Sequence, residues 1–160
     1  KKATGDFTLT NASTHTSTAL ASVGYLEIGG HVDNAFAGVG GIGFELTDVT
    51  FGIVMVSDTK GTPVTTDDVN YMALKADVGS AALAGIDGLT AEITSLSVEV
   101  NNTSDTVSPN RVLDFSTTSR AVATGPAGAP VVTIDIDGAE GVRFTSYLGQ
   151  LLGDIRRLLL

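Results

Sequence analysis

Residues 25–56 read YLEIGGHVDNAFAGVGGIGFELTDVTFGIVMV and residues 71–102 read YMALKADVGSAALAGIDGLTAEITSLSVEVNN, so one stretch of this chain is written twice. The matched positions include Tyr25 with Tyr71, Val32 with Val78, Gly41 with Gly88, and Glu45 with Glu92. The offset is 46 residues before the glycine-rich middle and 47 after it. Loops absorb insertions and strands do not, so this drift predicts two copies of one structural unit.

Each copy predicts a long β-hairpin. In the second copy, small and apolar residues occupy every second position from Met72 to Ala82, which is the pattern of one face of a strand. The pattern breaks at Asp87-Gly88, and Gly40-Gly41 lies at the matching place in the first copy. Both pairs supply the positive φ that a tight turn needs. Each copy is therefore predicted to be two antiparallel strands joined by a short turn.

The second strand of each hairpin changes its parity at one point. Apolar residues are odd-numbered before Thr94-Ser95 and even-numbered after it, and in the first copy they change from even-numbered to odd-numbered at the matching Thr47-Asp48. One extra residue in a strand is what a β-bulge or a corner requires. The slip is predicted to bend the strand while both of its halves face one core.

The flanking segments add shorter elements. Residues 5–10 predict a strand, and the Thr/Ser-rich residues 11–18 predict a loop or an exposed edge. Residues 111–116 predict a short strand. The strict alternation of residues 131–137 predicts a strand whose hairpin partner is residues 142–145. Leucine and isoleucine recur at helical spacing in residues 147–160, which predicts a C-terminal amphipathic helix.

Together these elements predict an all-β fold. Residues 1–146 form a single β-repeat domain, with hairpin repeats at about 25–56 and 71–102, and residues 147–160 form the helix. Two architectures use the same strands: an extended antiparallel β-meander, in which the slips curve the sheet, and a parallel β-solenoid, in which they are corners. The Asp-Gly and Gly-Gly turns favour hairpins.

Composition narrows the class of protein. The chain has 160 residues, of which 42% are hydrophobic and 17% charged, and this argues against intrinsic disorder. Its net charge of −9 argues against nucleic acid as a partner, because phosphates demand a basic surface. It has no cysteine, so disulfide and thiolate chemistry are excluded. No stretch approaches the roughly 20 apolar residues that span a bilayer as a helix, so no membrane-spanning helix is predicted.

No catalytic pattern emerges, and the chain is predicted not to be an enzyme. The two histidines, His15 and His31, have no Ser or metal-ligand partner at a recognisable spacing, and both are interpreted as exposed polar residues. The signatures of the common hydrolases and of nucleotide-binding loops are absent. The glycine-rich residues 38–43 precede no helical pattern and are interpreted as a turn.

One acidic group is a candidate calcium site. Asp135 and Asp137 alternate before Gly138, and Glu140 follows, so hard oxygen ligands are available for one cation. The full twelve-residue calcium loop is not met, and a solvated strand edge explains the same residues. Asp58 with residues 67–68 is a second, poorer candidate.

The order of segments resembles one repeat unit of giant repetitive bacterial surface or secreted proteins. The resemblance covers residues 4–146 and is carried by GDFTLT, the two hairpin sequences, VLDFS and VTIDIDG. These are adhesin-like proteins, some of which have an N-terminal LEPR-x-LL motif. The resemblance implies an extracellular or cell-surface location and a structural or adhesive role, and no functional residues carry over from it.

Two functional hypotheses follow. A lone β-unit leaves open sheet edges, so the first is a structural building block of an elongated or filamentous extracellular assembly, whose partners are copies of itself or neighbouring repeat units. The second is a binding module, either an adhesin for glycan or a curved sheet that holds lipid. Its lipid-facing residues would be Leu74, Val78, Ile93 and Val98.

Overall fold

The computed structural model describes residues 1–141 and the backbone of residues 143–155, and it is all-β. A 3₁₀ turn spans Gly138–Glu140, and this described part contains no α-helix. The nine strands are β1 (Lys2–Asn11), β2 (Thr16–Val39), β3 (Ile42–Asp58), β4 (Val69–Ala84), β5 (Leu89–Thr103), β6 (Arg111–Asp114), β7 (Arg120–Ala123), β8 (Val131–Ile134) and β9 (Arg143–Ile155).

Seven strands form one large sheet in the order β6-β1-β2-β3-β4-β5-β9, and all of its neighbouring pairs are antiparallel. Strands β1 to β5 follow one another in space as they do in sequence, so the sheet is a meander. The predicted antiparallel meander is confirmed, and the described residues contain no parallel solenoid. Strands β7 and β8 pair with each other in a separate two-stranded layer.

The two sequence copies fold as two sister hairpins. Strand β2 pairs with β3 from Gly24 to Val39, and β4 pairs with β5 over the matching region. The first turn has left-handed backbone at Gly40 (φ 62°) and Gly41 (φ 83°), and the second turn has it at Gly88 (φ 76°). Glycine adopts this conformation without steric cost, which is why the turns lie where the sequence predicts them.

The hydrophobic core lies at one end of the large sheet. Phe7 and Tyr25 meet edge to face with their ring centroids 5.3 Å apart, and Leu113 in β6 and Phe115 just after it belong to the same cluster. The β7–β8 layer covers this end at Gly52, where an added Cβ would lie only 3.1 Å from Val122. A glycine here lets the second layer approach the sheet closely.

The predicted C-terminal helix is wrong where the chain is described. Residues 147–155 belong to β9, which pairs with β5 from Asn101↔Arg143 to Leu89↔Ile155. Residues 156–160 lie outside the described residues. The backbone groups of β9 find their partners in the β5 ladder, and a helix would leave that ladder unmade.

One further expectation is corrected. The strand at residues 131–137 ends at Ile134 and pairs with β7, whereas residues 143–145, predicted as its partner, belong to β9. Residue 142 lies outside the described part. The Thr/Ser-rich segment, predicted as a loop or an exposed edge, is a turn at residues 12–15 and from Thr16 onward an exposed part of β2 that pairs with β1.

Candidate interaction surfaces

A crease crosses the large sheet at one level. At this level each pair of neighbouring strands lacks one regular pair, and the residues at the gap lie side by side across the sheet. We call these residues the crease: Asp33 on β2, Asp48 on β3, Gly79 on β4, Ser95 on β5 and Gly149 on β9. Asp48 (φ 51°) and Ser95 (φ 63°) have left-handed backbone inside their strands. The pairing register is the same on both sides of this line. The predicted slip is therefore real, but it is not a bulge of one strand against its neighbour, because all the strands slip together.

The crease explains how each strand keeps its apolar residues on one face of the sheet along its whole length. Val78 and Ala81 lie three residues apart on β4, yet both are buried, although strict alternation would send them to opposite faces. When the crease residue Gly79 is left out of the alternation, Val78 and Ala81 become second neighbours and therefore lie on the same face. The same counting on β5 unites Ile93 with Leu96.

This counting defines an apolar face on β2 to β5. It consists of even residues 26–32 and odd residues 35–39 on β2, odd residues 49–55 and even residues 42–46 on β3, even residues 72–78 and odd residues 81–83 on β4, and even residues 96–102 and odd residues 89–93 on β5. None of these positions holds a charged residue, and Asn102 is the one with a polar side chain. Its Oδ1 accepts a hydrogen bond from the N–H of Thr103.

All nine described strands leave the apolar face open. Seven of them form the sheet itself, and the β7–β8 layer lies on the opposite face against Gly52. Large side chains of the apolar face are accordingly exposed: Ile28, Val32, Val39 (87%), Ile42 and Phe44. A largely apolar depression of about 590 Å³ lies at the end of this face nearest the core, lined in part by Leu26, Met55 and Met72, with Lys2 beside them.

The opposite face is polar beyond the covering layer, and we call this part the polar face. The hydroxyls of Thr47 and Ser80 share a hydrogen bond of 2.7 Å across β3 and β4. His31 is partly buried between two carboxylates, with its Nε2 2.9 Å from Asp33 and its Nδ1 3.7 Å from Asp48. The far half of the sheet is thus a single layer with one polar and one apolar side.

Two long stretches of strand border the described sheet. The last β1–β2 pair is Lys2↔Leu26, so residues 28–39 of β2 have a partner strand only on the β3 side within the described part of the chain. Strand β9 likewise pairs only with β5 there. Residues 28–39 contain neither Pro nor Lys, the residues with which natural proteins commonly protect an open edge.

The candidate calcium residues make other contacts. Asp135 lies 2.7 Å from the Nζ of Lys75, whose pKa is raised because this hydrogen bond and nearby carboxylates outweigh burial. The Asp137 Oδ1 accepts from the N–H of Ala139 and caps the 3₁₀ turn, and Glu140 is exposed. Residues 1–141 bring no three metal-ligating side chains together in one group. Calcium at Asp135, Asp137 and Glu140 stays a prediction.

The poorer acidic candidate is also engaged in local contacts. Asp58 forms an ion pair with Lys60, and Asp67 accepts a hydrogen bond from the Thr62 hydroxyl. Burial raises the pKa of Asp58, but the hydrogen bonds and charge of Lys60 outweigh it, so the pKa lies below its ordinary value. These contacts order the β3–β4 connection.

A buried carboxylate organises the loop between β5 and β6. Asp105 accepts hydrogen bonds from the N–H groups of Val107 and Ser108, and its Oδ2 lies 2.6 Å from a guanidinium nitrogen of Arg111. Burial alone would raise the pKa of Asp105. The hydrogen bonds and the Arg111 charge outweigh burial, so the pKa lies below its ordinary value.

The comparisons with known proteins add no constraint. No protein-family model, no curated protein and no solved structure matches the chain. Across the described residues, no helix combines the length and the apolar character that crossing a bilayer would take.

Sequence reasoning found part of these surfaces. It placed Leu74, Val78, Ile93 and Val98 together, and the counting from the crease puts all four on the apolar face. It missed that this face runs without a charge over both hairpins, and it interpreted His31 as a plain exposed residue. The signal for the face was present, since the two parity slips lie at matching places in the two copies.

Proposed function

We propose that this chain is a structural building block of an elongated or filamentous bacterial extracellular assembly, in which copies associate through their sheet edges. The observation that supports this most is the pair of long borders, at residues 28–39 of β2 and along β9, that have a partner strand on one side only within the described part of the chain. A border of β2 joined to β9 of the next copy is a heterologous contact, and such contacts grow open-ended arrays. The acidic, cysteine-free composition and the resemblance to giant surface proteins support the extracellular location.

The backbone of β2 presents hydrogen-bonding groups to such a neighbour. The Glu27 N–H donates to the Lys1 carbonyl on the side away from β3. Because these groups alternate along an antiparallel strand, the N–H and C=O groups of Gly29 and His31 point the same way, beyond the end of β1. Main-chain hydrogen bonds to a neighbouring edge would complete this ladder, as in strand addition between other proteins.

The test removes one outward donor. His31→Pro deletes an N–H that makes no hydrogen bond to β3, so the fold is expected to persist. Edge association is expected to weaken by at least about tenfold, because one hydrogen bond is lost and the proline ring obstructs the neighbouring strand. His31→Ala is the matched control, since it keeps the N–H and removes only the imidazole. Sedimentation velocity and negative-stain electron microscopy report the outcome. A wild-type protein that stays a monodisperse monomer and shows no elongated particles would contradict the proposal.

The alternative is a binding module for lipid or glycan. The charge-free apolar face and its depression beside Leu26 and Met72 favour lipid over glycan, because hydroxyl-rich sugars need polar partners that this face lacks. Mass spectrometry of an organic extract of the purified protein tests it. Stoichiometric bound lipid supports the alternative, and a lipid-free protein counts against it.

A further inference from the structure

We infer that the apolar face is a docking surface for a second copy of this chain, so that two large sheets pack face to face. This contact is separate from the edge contact proposed above and does not depend on it. Its starting point is the exposure of large apolar side chains, among them Val32, Ile42 and Phe44, on a face that the nine described strands leave open. Contiguous apolar patches of this kind mark interaction sites.

The size of the face matches what a stable dimer needs. The face spans four strands about 4.8 Å apart, and about 14 residues of β2 at about 3.3 Å each, which gives roughly 19 by 46 Å or about 900 Å². A specific protein–protein interface buries about 800 Å² on each partner. The face is therefore large enough to hold a second sheet at the usual face-to-face distance of about 10 Å.

The relief of the face suits a copy of itself. Two rows of paired residues that cross β2, β3 and β4 have a large side chain between two small ones. These rows are Gly30, Phe51, Ala76 and Ala35, Leu46, Ala81. In these two rows the side chain of β3 stands above its neighbours, whereas rows such as Ile28, Ile53, Leu74 are of even height. In a two-fold arrangement Phe51 and Leu46 of each copy can lie over small residues of the other, which is how the inner faces of packed sheets interdigitate.

Charge selects the same occupant. The chain carries a net charge of −9, so two copies repel each other wherever their acidic surfaces meet, whereas the apolar face contributes no charge to that repulsion. The face itself has no Lys or Arg, and Lys2, opposite Leu26, borders it at the depression. The apolar face of a second copy would bury this face without leaving any charge buried and unpaired.

The experiment compares two phenylalanines on opposite faces. Phe44 lies on the apolar face and is 39% exposed, and Phe36 lies on the polar face and is 50% exposed. Sedimentation equilibrium is performed on each glutamate variant in the His31→Pro background, in which edge association is weakened. We expect a dimer whose Kd rises at least about 100-fold with Phe44→Glu and changes less than about threefold with Phe36→Glu.

Two controls keep the outcome decisive. Far-UV circular dichroism confirms folding, and Val39→Glu, at a position 87% exposed on the same face, replaces Phe44→Glu if that variant does not fold. A monomer at about 100 µM in the His31→Pro background, or equal effects of the two phenylalanine variants, overturns the inference. A monomer that carries co-purified lipid overturns it in favour of a lipid occupant.

Discussion

Ser95 and Ser97 lie two residues apart on β5 and have opposite backbone requirements. Ser95 is an exposed crease residue with φ 63°, and Ser97 is a regular strand residue that pairs with Asp77. Replacing each in turn with glycine and with valine tests whether the crease exists as described. The same two substitutions should change stability with opposite signs at the two positions.

The magnitudes follow from backbone sterics. A residue with a Cβ loses about 1–2 kcal/mol in the left-handed conformation, and glycine gives back about 0.5–1 kcal/mol of that through its larger chain entropy. Ser95→Gly is therefore expected to raise the free energy of unfolding by roughly 0.5–1 kcal/mol, and Ser95→Val to lower it, because a β-branched residue tolerates positive φ less well than serine does. At Ser97, glycine lowers it by about 0.5–1 kcal/mol and valine leaves it unchanged or slightly higher.

Urea unfolding followed by far-UV circular dichroism measures these changes. With a slope of about 2 kcal/mol/M, a change of 0.5–1 kcal/mol moves the midpoint by about 0.25–0.5 M, which is readily resolved. Loss of stability in Ser95→Gly comparable to that in Ser97→Gly would refute the left-handed residue. The parity argument that builds the apolar face would then fail with it.

Two further substitutions test the core end and its charges. Gly52→Val should lower the free energy of unfolding by about 1–3 kcal/mol, because its side chain meets Val122 and Val132, while Gly24→Val, with open space at its Cβ, should not; thermal unfolding compares them. Asp105→Asn should cost about 1–2 kcal/mol at pH 7, because it removes the carboxylate charge that pairs with Arg111. Folding lowers the pKa of Asp105, so its contribution to stability is present above the unfolded pKa of about 3.9 and is lost as the pH falls through the folded pKa. The urea midpoints of the variant and the wild type should therefore converge below about pH 4. A gap between the midpoints that stays constant with pH contradicts this.

The hairpins could be predicted because their signals are local. Gly40-Gly41 and Asp87-Gly88 lie where the chain must turn, and alternation on either side gives the strands. The parity slips at Asp48 and Ser95 were also visible, although a single sequence does not show that neighbouring strands slip at one level. That level becomes evident only from the pairing register, which preserves the same sum of residue numbers across the crease.

The C-terminal helix was wrong for an instructive reason. Alternation interrupted by a crease puts apolar residues three positions apart, as at Val78 and Ala81 or at Ile93 and Leu96, and this is also a helical spacing. Leu148 and Leu151 lie on either side of Gly149 with the same spacing, and β9 pairs there with the crease of β5. A short window cannot separate a creased strand from an amphipathic helix.

Non-local pairing was beyond sequence reasoning. Residues 131–134 were matched with the nearest downstream strand, but β8 pairs with β7, and β9 pairs with β5 about 50 residues earlier in the chain. The candidate surfaces depend on the same long-range information. Whether an apolar strand face is covered or open is decided by where the β7–β8 layer lies, and only the fold shows that it lies on the other side at Gly52.

The most direct test of border-to-border assembly is the image of the native particle, combined with diffraction from aligned specimens. Edge addition stacks strands along the direction of growth, so we expect elongated particles with a repeat of about 4.8 Å parallel to their long axis. Compact particles of uniform size, or fibres in which this repeat runs across the axis, would contradict the account.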